Sequence, residues 1–156
     1  MKDGEEMLTI RKATENDISL IYELINGLAN YEKRPQDVTG SIDMLMFWLF
    51  KKKIATAVIL EYNEKAIGYA LYYPIFASFS ANAHVHLEDL FINFEYRHQG
   101  FGKEFFNKLI EMIKNEGYTK IEWSCLDWNI SAINFYKRIG AKQENGRVYF
   151  EYSLND

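Results

Sequence analysis

Two prolines, one cysteine and no long apolar run are what this chain has least of. The lone Cys125 excludes an intrachain disulfide and suits a reducing compartment. The longest apolar stretch, Met44–Phe50, is far short of the roughly 20 residues that span a bilayer. The start, Met1-Lys2-Asp3-Gly4-Glu5-Glu6, is polar and acidic and has no signal-peptide core. A cytoplasmic protein with no membrane partner is expected. An excess of positive charge is also missing: 18 Lys and Arg face 22 Asp and Glu, for a net charge of -4. That balance argues against nucleic acid held by phosphate contacts and tilts toward a cationic ligand. Repeats, low-complexity tracts and linkers are absent, so 1–156 reads as a single domain.

What is present is a core. The chain is 48% hydrophobic and 16% aromatic, with 26% charged residues, which is the composition of a globular domain rather than a disordered one. Large aromatics beyond the needs of a core would point to a dimer.

Periodicity divides the chain. Leu8–Ala13 alternates as a strand, and Thr14 with Asp17 starts an amphipathic helix over 16–30. Ser41 can cap a second helix containing Met44–Phe50, whose apolar character all round implies burial or a face shared with another subunit. Residues 54–62 and 66–73 read as a hairpin that Pro74 ends or confines to an edge, and 84–92 as the next strand. A helix from Phe101 through Ile113 closes near Gly117, a strand covers 120–126, and a short helix from Ala132 closes at Gly140. Val148–Tyr152 reads as a last strand after the Asn145-Gly146 turn, with one more short strand near 141–144. The expected class is α/β (α+β): a mixed, mostly antiparallel sheet of six to seven strands with helices on both faces.

The chemistry concentrates around Leu87–Lys103. An apolar strand ends, and a loop with Gly100 and Gly102 opens a helix. Glycine lets an anion approach backbone N–H groups, the helix N-terminus adds a favourable dipole, and Lys103 adds charge. On spacing alone, an ordinary tight turn explains the glycines equally well. The pattern lacks the spacing of a Walker A loop and of a dinucleotide fingerprint. Elsewhere, His84, His86 and Glu88 lie at i, i+2 and i+4 on one strand face, but no fourth ligand accompanies them and no metal is expected. Glu88 and its neighbour Asp89 should face opposite sides of their strand. Cys125 reads as a small buried residue.

Arg97-x-x-Gly100-x-Gly102 after Leu87-Glu88-Asp89-Leu90-Phe91 resembles the acetyl-CoA loop of the GNAT acetyltransferase superfamily. That pattern usually has glycine after the arginine, where this chain has His98. Trp128-Asn129-Ile130-Ser131-Ala132 through Gly140-Ala141 resembles the later GNAT motif, in the expected order. Leu87-Glu88-Asp89, Asn134–Ala141 and Leu28-Ala29-x-Tyr31-Glu32 are similar to the spermidine/spermine (diamine) N-acetyltransferase branch. The resemblance implies acetyl-CoA as co-substrate, a small-molecule amine as acceptor and a homodimer. It puts the general acid at Tyr136 and assistance to deprotonation at Glu88. Cofactor contacts then fall on Leu90, Phe91 and Ile92, on Arg97, His98, Gln99, Gly100, Phe101, Gly102 and Lys103, and on Asn129, Ser131 and Ala132. Acceptor contacts fall on Tyr31, Glu32, Glu88 and Asp89. Ser131 stands where the branch has proline, and the segment near Glu144 is shorter.

The implied reaction is chemically consistent. An alkyl ammonium with a pKa near 10.4 needs roughly 4–5 kcal/mol to expose its lone pair at neutral pH. A carboxylate can take that proton, the amine then attacks the thioester, and a tyrosine hydroxyl can protonate the departing thiolate. Without the resemblance, Tyr136 is a core or rim aromatic, Glu88-Asp89 solvates a strand end, and Tyr31-Glu32 is a fraying helix end. Three functions follow: a di- or polyamine acetyltransferase, an acetyltransferase for a lysine-like amino acid or other small amine, and a non-catalytic acyl-CoA-binding regulatory protein.

Overall fold

β-Branched and aromatic residues between 56 and 92 build three consecutive antiparallel strands, because each buries a face and each has a neighbour to pair with. The computed structural model describes residues 7–155; the reading of residues 1–6 lies outside them. By their internal contacts, these residues form two units, meeting in sequence at Ser124 and Cys125.

The first unit holds one five-stranded sheet in sequence order. β1 is Leu8–Lys12, β2 Thr56–Tyr62, β3 Lys65–Ala77, β4 Asn82–Ile92 and β5 Ile121–Glu122. The first four pair antiparallel, and β5 joins β4 in parallel. Helix α1 (Ile18–Tyr31) lies on one face, where Ile21 and Leu24 form a core with Ala57, Ile59, Tyr69, Leu71 and Phe91. Alternation sends Val58, Ala70 and Tyr72 to the other face. There the Tyr72 hydroxyl donates to Glu116 at 2.7 Å, just past the end of α3 (Phe101–Asn115), whose Phe105, Leu109 and Ile113 are buried. The short α2 (Ile42–Met46) is capped by Ser41, whose hydroxyl accepts from the Met44 N–H at 3.2 Å, and runs into a π-helical turn at Phe47–Lys51.

Pro74 does not end β3. The β2 ladder stops at Thr56↔Tyr72, so beyond it β3 pairs with β4 alone, and an edge is where proline is tolerated. The Met44–Phe50 segment is less buried than its composition suggested: Leu49 is buried, whereas Met44 and Trp48 are exposed.

Among the described residues the strand count is five rather than six to seven. Only Ile121–Glu122 of the expected 120–126 strand is paired, and neither 141–144 nor Val148–Tyr152 forms a strand. Strand propensity acts through cross-strand neighbours, and these segments pair with none among the described residues. Tyr149 and Phe150 are 89% and 94% exposed. In this second unit α4 (Ile130–Arg138) is the regular element. Cys125, expected to be buried, is exposed.

Arg11 ties β1 to the start of α1. Its two terminal nitrogens donate to Asp17 at 2.7 and 2.8 Å, its Nε donates to Glu61, and Asp17 also accepts from the Thr14 N–H at 2.8 Å. The Arg11 hydrogen bonds hold the Asp17 carboxyl down at about 2. The stability from this depressed pKa is complete above the ordinary carboxylate value and is lost as the pH falls toward 2. Asp17→Asn should therefore cost about 1 kcal/mol at neutral pH, discounted for the exposed guanidinium. Urea titrations of both proteins should show that gap narrowing as the pH is lowered through the range about 4 to about 2.

Candidate active site

A β-bulge decides where the two neighbouring carboxylates of β4 go. Leu71 pairs with Asp89 and Tyr72 with Leu87, so Glu88 is the extra residue of the ladder. Strict alternation would have sent Glu88 and Asp89 to opposite faces; the inserted residue absorbs that change. Both side chains stand on the face of Leu71 and Tyr73, where α1 packs. The charge of Glu88 is felt at Asp89.

Asp89 lines a small open cleft of about 140 Å³, with Ile25, Leu28, Ala29 and Val38 as apolar walls and Glu32, Arg34 and Asp37 as polar ones. The Tyr69 hydroxyl donates to Asp89 at 2.8 Å. Burial pushes the Asp89 carboxyl up to about 6; the Tyr69 bond opposes this, and the charges of Glu88 and Glu32 add to it. Burial and the same carboxylates drive the Tyr69 hydroxyl strongly upward, so it stays a neutral donor. Three carboxylates beside an apolar wall suit a cationic alkyl chain, whose charge relieves their repulsion. Arg34 is the exception in this acidic wall, and its Nε donates to Asp37 at 2.5 Å.

Glu88 is more exposed. It accepts from the Tyr73 hydroxyl at 3.3 Å and lies 3.4 Å from His86. Its strand loses a neighbour at the same place. β5 pairs with β4 only at Val85↔Ile121 and His86↔Glu122, while β4 continues to Ile92. The β4 edge from Leu87 onward is thus available to a ligand, as the edge of a splayed sheet would be.

The loop after β4 has the geometry of an anion site. His98 and Gly100 adopt left-handed backbone conformations, with φ of 62° and 80°, and Gly100 leads directly into α3. The first N–H groups of a helix have no intrahelical acceptor and point along the axis. Histidine is among the side chains that enter this region most readily, which accounts for His98 where glycine is usual. Arg97 is engaged elsewhere. Its guanidinium lies 4.1 Å from the Tyr31 ring centre and 5.2 Å from that of Phe91, and its Nε donates to the Ile92 carbonyl at 2.9 Å. It braces the loop against α1 and covers Tyr31.

The remaining candidates lie in the second unit. The buried Asn129 caps α4, its side chain accepting from the Ala132 N–H at 3.2 Å. Tyr136 packs edge-on against Phe135, with ring centres 5.6 Å apart. Among the described residues no group of three or more His, Cys, Asp or Glu side chains is arranged to hold a metal ion. Among the described residues no helix is long and apolar enough to cross a membrane.

Sequence reasoning missed Asp37, Arg34 and Tyr69. The two former flank Pro35, which starts a short 3-10 turn with Arg34 at its N-cap and Asp37 at its end. Tyr69 was reachable from hairpin register, since it pairs with Phe91, two residues from Asp89.

Residues 19–141 match the acetyltransferase (GNAT) family. The thialysine N-epsilon-acetyltransferase of Mus musculus is 32% identical over 142 residues, covering 85% of this chain and 83% of that protein. The L-ornithine N5-acetyltransferase of Arabidopsis thaliana is 37% identical over 75 residues, 48% of this chain and 33% of that one. In fold, the chain is similar to an aminoglycoside acetyltransferase from a soil metagenomic sample, with a TM-score of 0.79 at 19% identity, over 95% of this chain and 97% of that one.

Two substitutions report on this geometry. A carboxyl with a raised pKa costs stability once it ionises, above its folded value, and nothing below its unfolded value. Asp89→Asn should stabilise the protein by about 2 kcal/mol at pH 7, and the gain should vanish below about pH 4, measured by denaturant titration at each pH. His98→Gly should relieve left-handed strain worth about 1 kcal/mol and raise the melting temperature by roughly 2–4 °C, whereas His98→Val should lower it.

Proposed function

The chain belongs to the GNAT acetyltransferase family, and we propose that it transfers the acetyl group of acetyl-CoA to a primary amine of a di- or polyamine. The observation that carries the acceptor class is the cleft in which Asp89, Glu32 and Asp37 converge beside an apolar wall. An alkyl diammonium matches both the charge and the surface of such a cleft.

Each residue has a role in this reading. The loop from His98 to Lys103 and the start of α3 hold the pyrophosphate, and Asn129, Ser131 and Ala132 complete the cofactor contacts. The β4 edge at Leu90–Ile92 offers N–H groups to the thioester carbonyl. Asp89 and Glu32 hold the cationic chain beside Tyr31. Glu88, more exposed than Asp89, takes the proton that the attacking nitrogen must lose. Tyr136 donates a proton to the departing thiolate. The whole chain works as one domain, in the cytoplasm and as a homodimer. Exposed aromatics such as Phe76 and Trp48 support the last point.

A second acceptor reading draws on Arg34. A guanidinium beside Asp37 at the cleft's rim matches the carboxylate and α-ammonium of a lysine-like amino acid. Two relatives bear the names of amino-acid acetyltransferases, which favours the same reading.

A thiol-release assay with acetyl-CoA and a panel of polyamines, lysine analogues and aminoglycosides separates these readings. Turnover with spermidine, spermine or putrescine, weakened by Glu32→Gln and indifferent to Arg34→Ala, is the expected result. Turnover confined to lysine analogues and lost in Arg34→Ala would establish the second reading. Tyr136→Phe should lower kcat by about 10²–10⁴ with little change in cofactor binding. Coenzyme A binding with no product across the whole panel would mark a non-catalytic acyl-CoA-binding protein.

A further inference from the structure

One cation stands between the anion-binding loop and the acidic cleft. Arg97 lies in the loop that runs into α3, immediately before the left-handed His98, yet its side chain turns back onto α1. Its guanidinium lies 4.1 Å from the centre of the Tyr31 ring and 5.2 Å from that of Phe91, while its Nε donates to the Ile92 carbonyl at 2.9 Å. Among the described residues Arg97 forms no ion pair, and burial pushes its guanidinium below the ordinary value, with Tyr31 opposing. A planar cation held this way is placed by the rings it stacks on rather than by a counter-charge.

Both rings lead to the cleft. Tyr31 is the last residue of α1, and Glu32, which lines the cleft, follows it. The Glu32 N–H donates to the Leu28 carbonyl at 2.9 Å and the Arg34 N–H to the Ala29 carbonyl at 2.8 Å, so Tyr31, Glu32 and Arg34 belong to one tied turn. Phe91 is buried against α1, where a Cβ on Gly27 would stand 3.1 Å from its ring. That ring also meets Tyr69 edge-on, with centres 6.3 Å apart, and the Tyr69 hydroxyl donates to Asp89. Arg97 thus bears on Glu32 through Tyr31 and on Asp89 through Phe91 and Tyr69.

We propose that Arg97 is a positioning residue that sets Tyr31 and Glu32 for the cationic acceptor when the cofactor loop is filled, so that each substrate tightens the binding of the other. The proposal rests on the reading of the loop as the cofactor's and of Tyr31 and Glu32 as the acceptor's. Both ends of the stack are held weakly by the fold: Tyr31 is 39% exposed at a helix end, and the neighbouring His98 has a φ of 62°. A ligand on the loop fixes the backbone from which Arg97 projects, and the stacked guanidinium then holds the last turn of α1. An acceptor that binds afterwards meets a turn already ordered, and ordering that is shared by two ligands makes their binding cooperative. The effect is reciprocal, since one coupling free energy serves both ligands. With its Nε on the Ile92 carbonyl and its face on Tyr31, the side chain acts on the acceptor rather than as a phosphate ligand.

Titration calorimetry measures the coupling directly. The acceptor identified by thiol release is titrated with and without saturating coenzyme A, which carries no acetyl group to transfer. The wild-type protein should bind the acceptor about 5–20-fold more tightly when coenzyme A is present. Arg97→Gln and Tyr31→Leu should each bring that factor close to one, and Arg97→Lys, which keeps the charge but loses the planar stack, should restore little of it. Tyr31→Phe keeps the ring face and should keep the factor. In steady state, Arg97→Gln should raise the acceptor KM by about 5–20-fold, with the coenzyme A Kd within about twofold of wild type. No coupling in the wild type, or equal coupling in Arg97→Gln, would overturn the proposal. A defect of Arg97→Gln confined to coenzyme A affinity would do the same, by making Arg97 a phosphate contact. Glu32→Gln separates this from the underlying reading. Acceptor binding weakened by Glu32→Gln but not by Arg97→Gln removes the coupling alone, and binding indifferent to Glu32→Gln removes the acceptor site as well.

Discussion

The bulge at Glu88 is the constraint on which the site depends. A regular strand cannot put two consecutive side chains on one face, and two carboxylates one residue apart are useful here only if they share a face. The Leu71↔Asp89 and Tyr72↔Leu87 pairings admit one extra residue, and the two acids come to stand side by side. The same stretch of β4 is where pairing with β5 stops after His86↔Glu122. A single irregularity thus sets two neighbouring carboxylates next to a strand edge that β5 leaves unpaired. The loop that follows leads straight into α3, whose first N–H groups lie beyond the end of that strand.

Electrostatic strain is concentrated at one point of this arrangement. Asp89 is partly buried, it feels Glu88 and Glu32, and a single hydroxyl, that of Tyr69, offsets this. A stability optimum would place an amide there. A ligand cation relieves the repulsion, so part of the folded state's free energy is held in reserve for binding. His98 carries a smaller strain of the same kind, in the backbone rather than in charge.

Much of the first unit was legible in the sequence. The amphipathic helices, the hairpin and the glycine-marked loop are local features, and each follows from periodicity, capping or turn chemistry within a few residues. What was not legible was relational. The alternation rule put Glu88 and Asp89 on opposite faces, because a bulge is a property of two strands and their register. Val148–Tyr152 reads as a strand on propensity, but a strand also requires a partner, and the segment is exposed. Asp37 and Arg34 sit in a turn with no periodicity to mark them. Their place beside Asp89 comes from the short turn at Pro35–Asp37, whose two ends they mark. His84 and His86 were seen to share a face with Glu88, but Glu122, which gives them a partner, comes from a strand too short to register its facing.

The central claim is that a cationic acceptor binds over ionised Asp89. Titration calorimetry of an unreactive diamine analogue near pH 6, in two buffers of different ionisation enthalpy, measures the protons exchanged on binding. A bound cation must lower the Asp89 pKa. The wild-type protein should therefore release a fraction of a proton, and Asp89→Asn should release less and bind more weakly. Binding with no proton release, or with equal release and affinity in Asp89→Asn, would contradict the account.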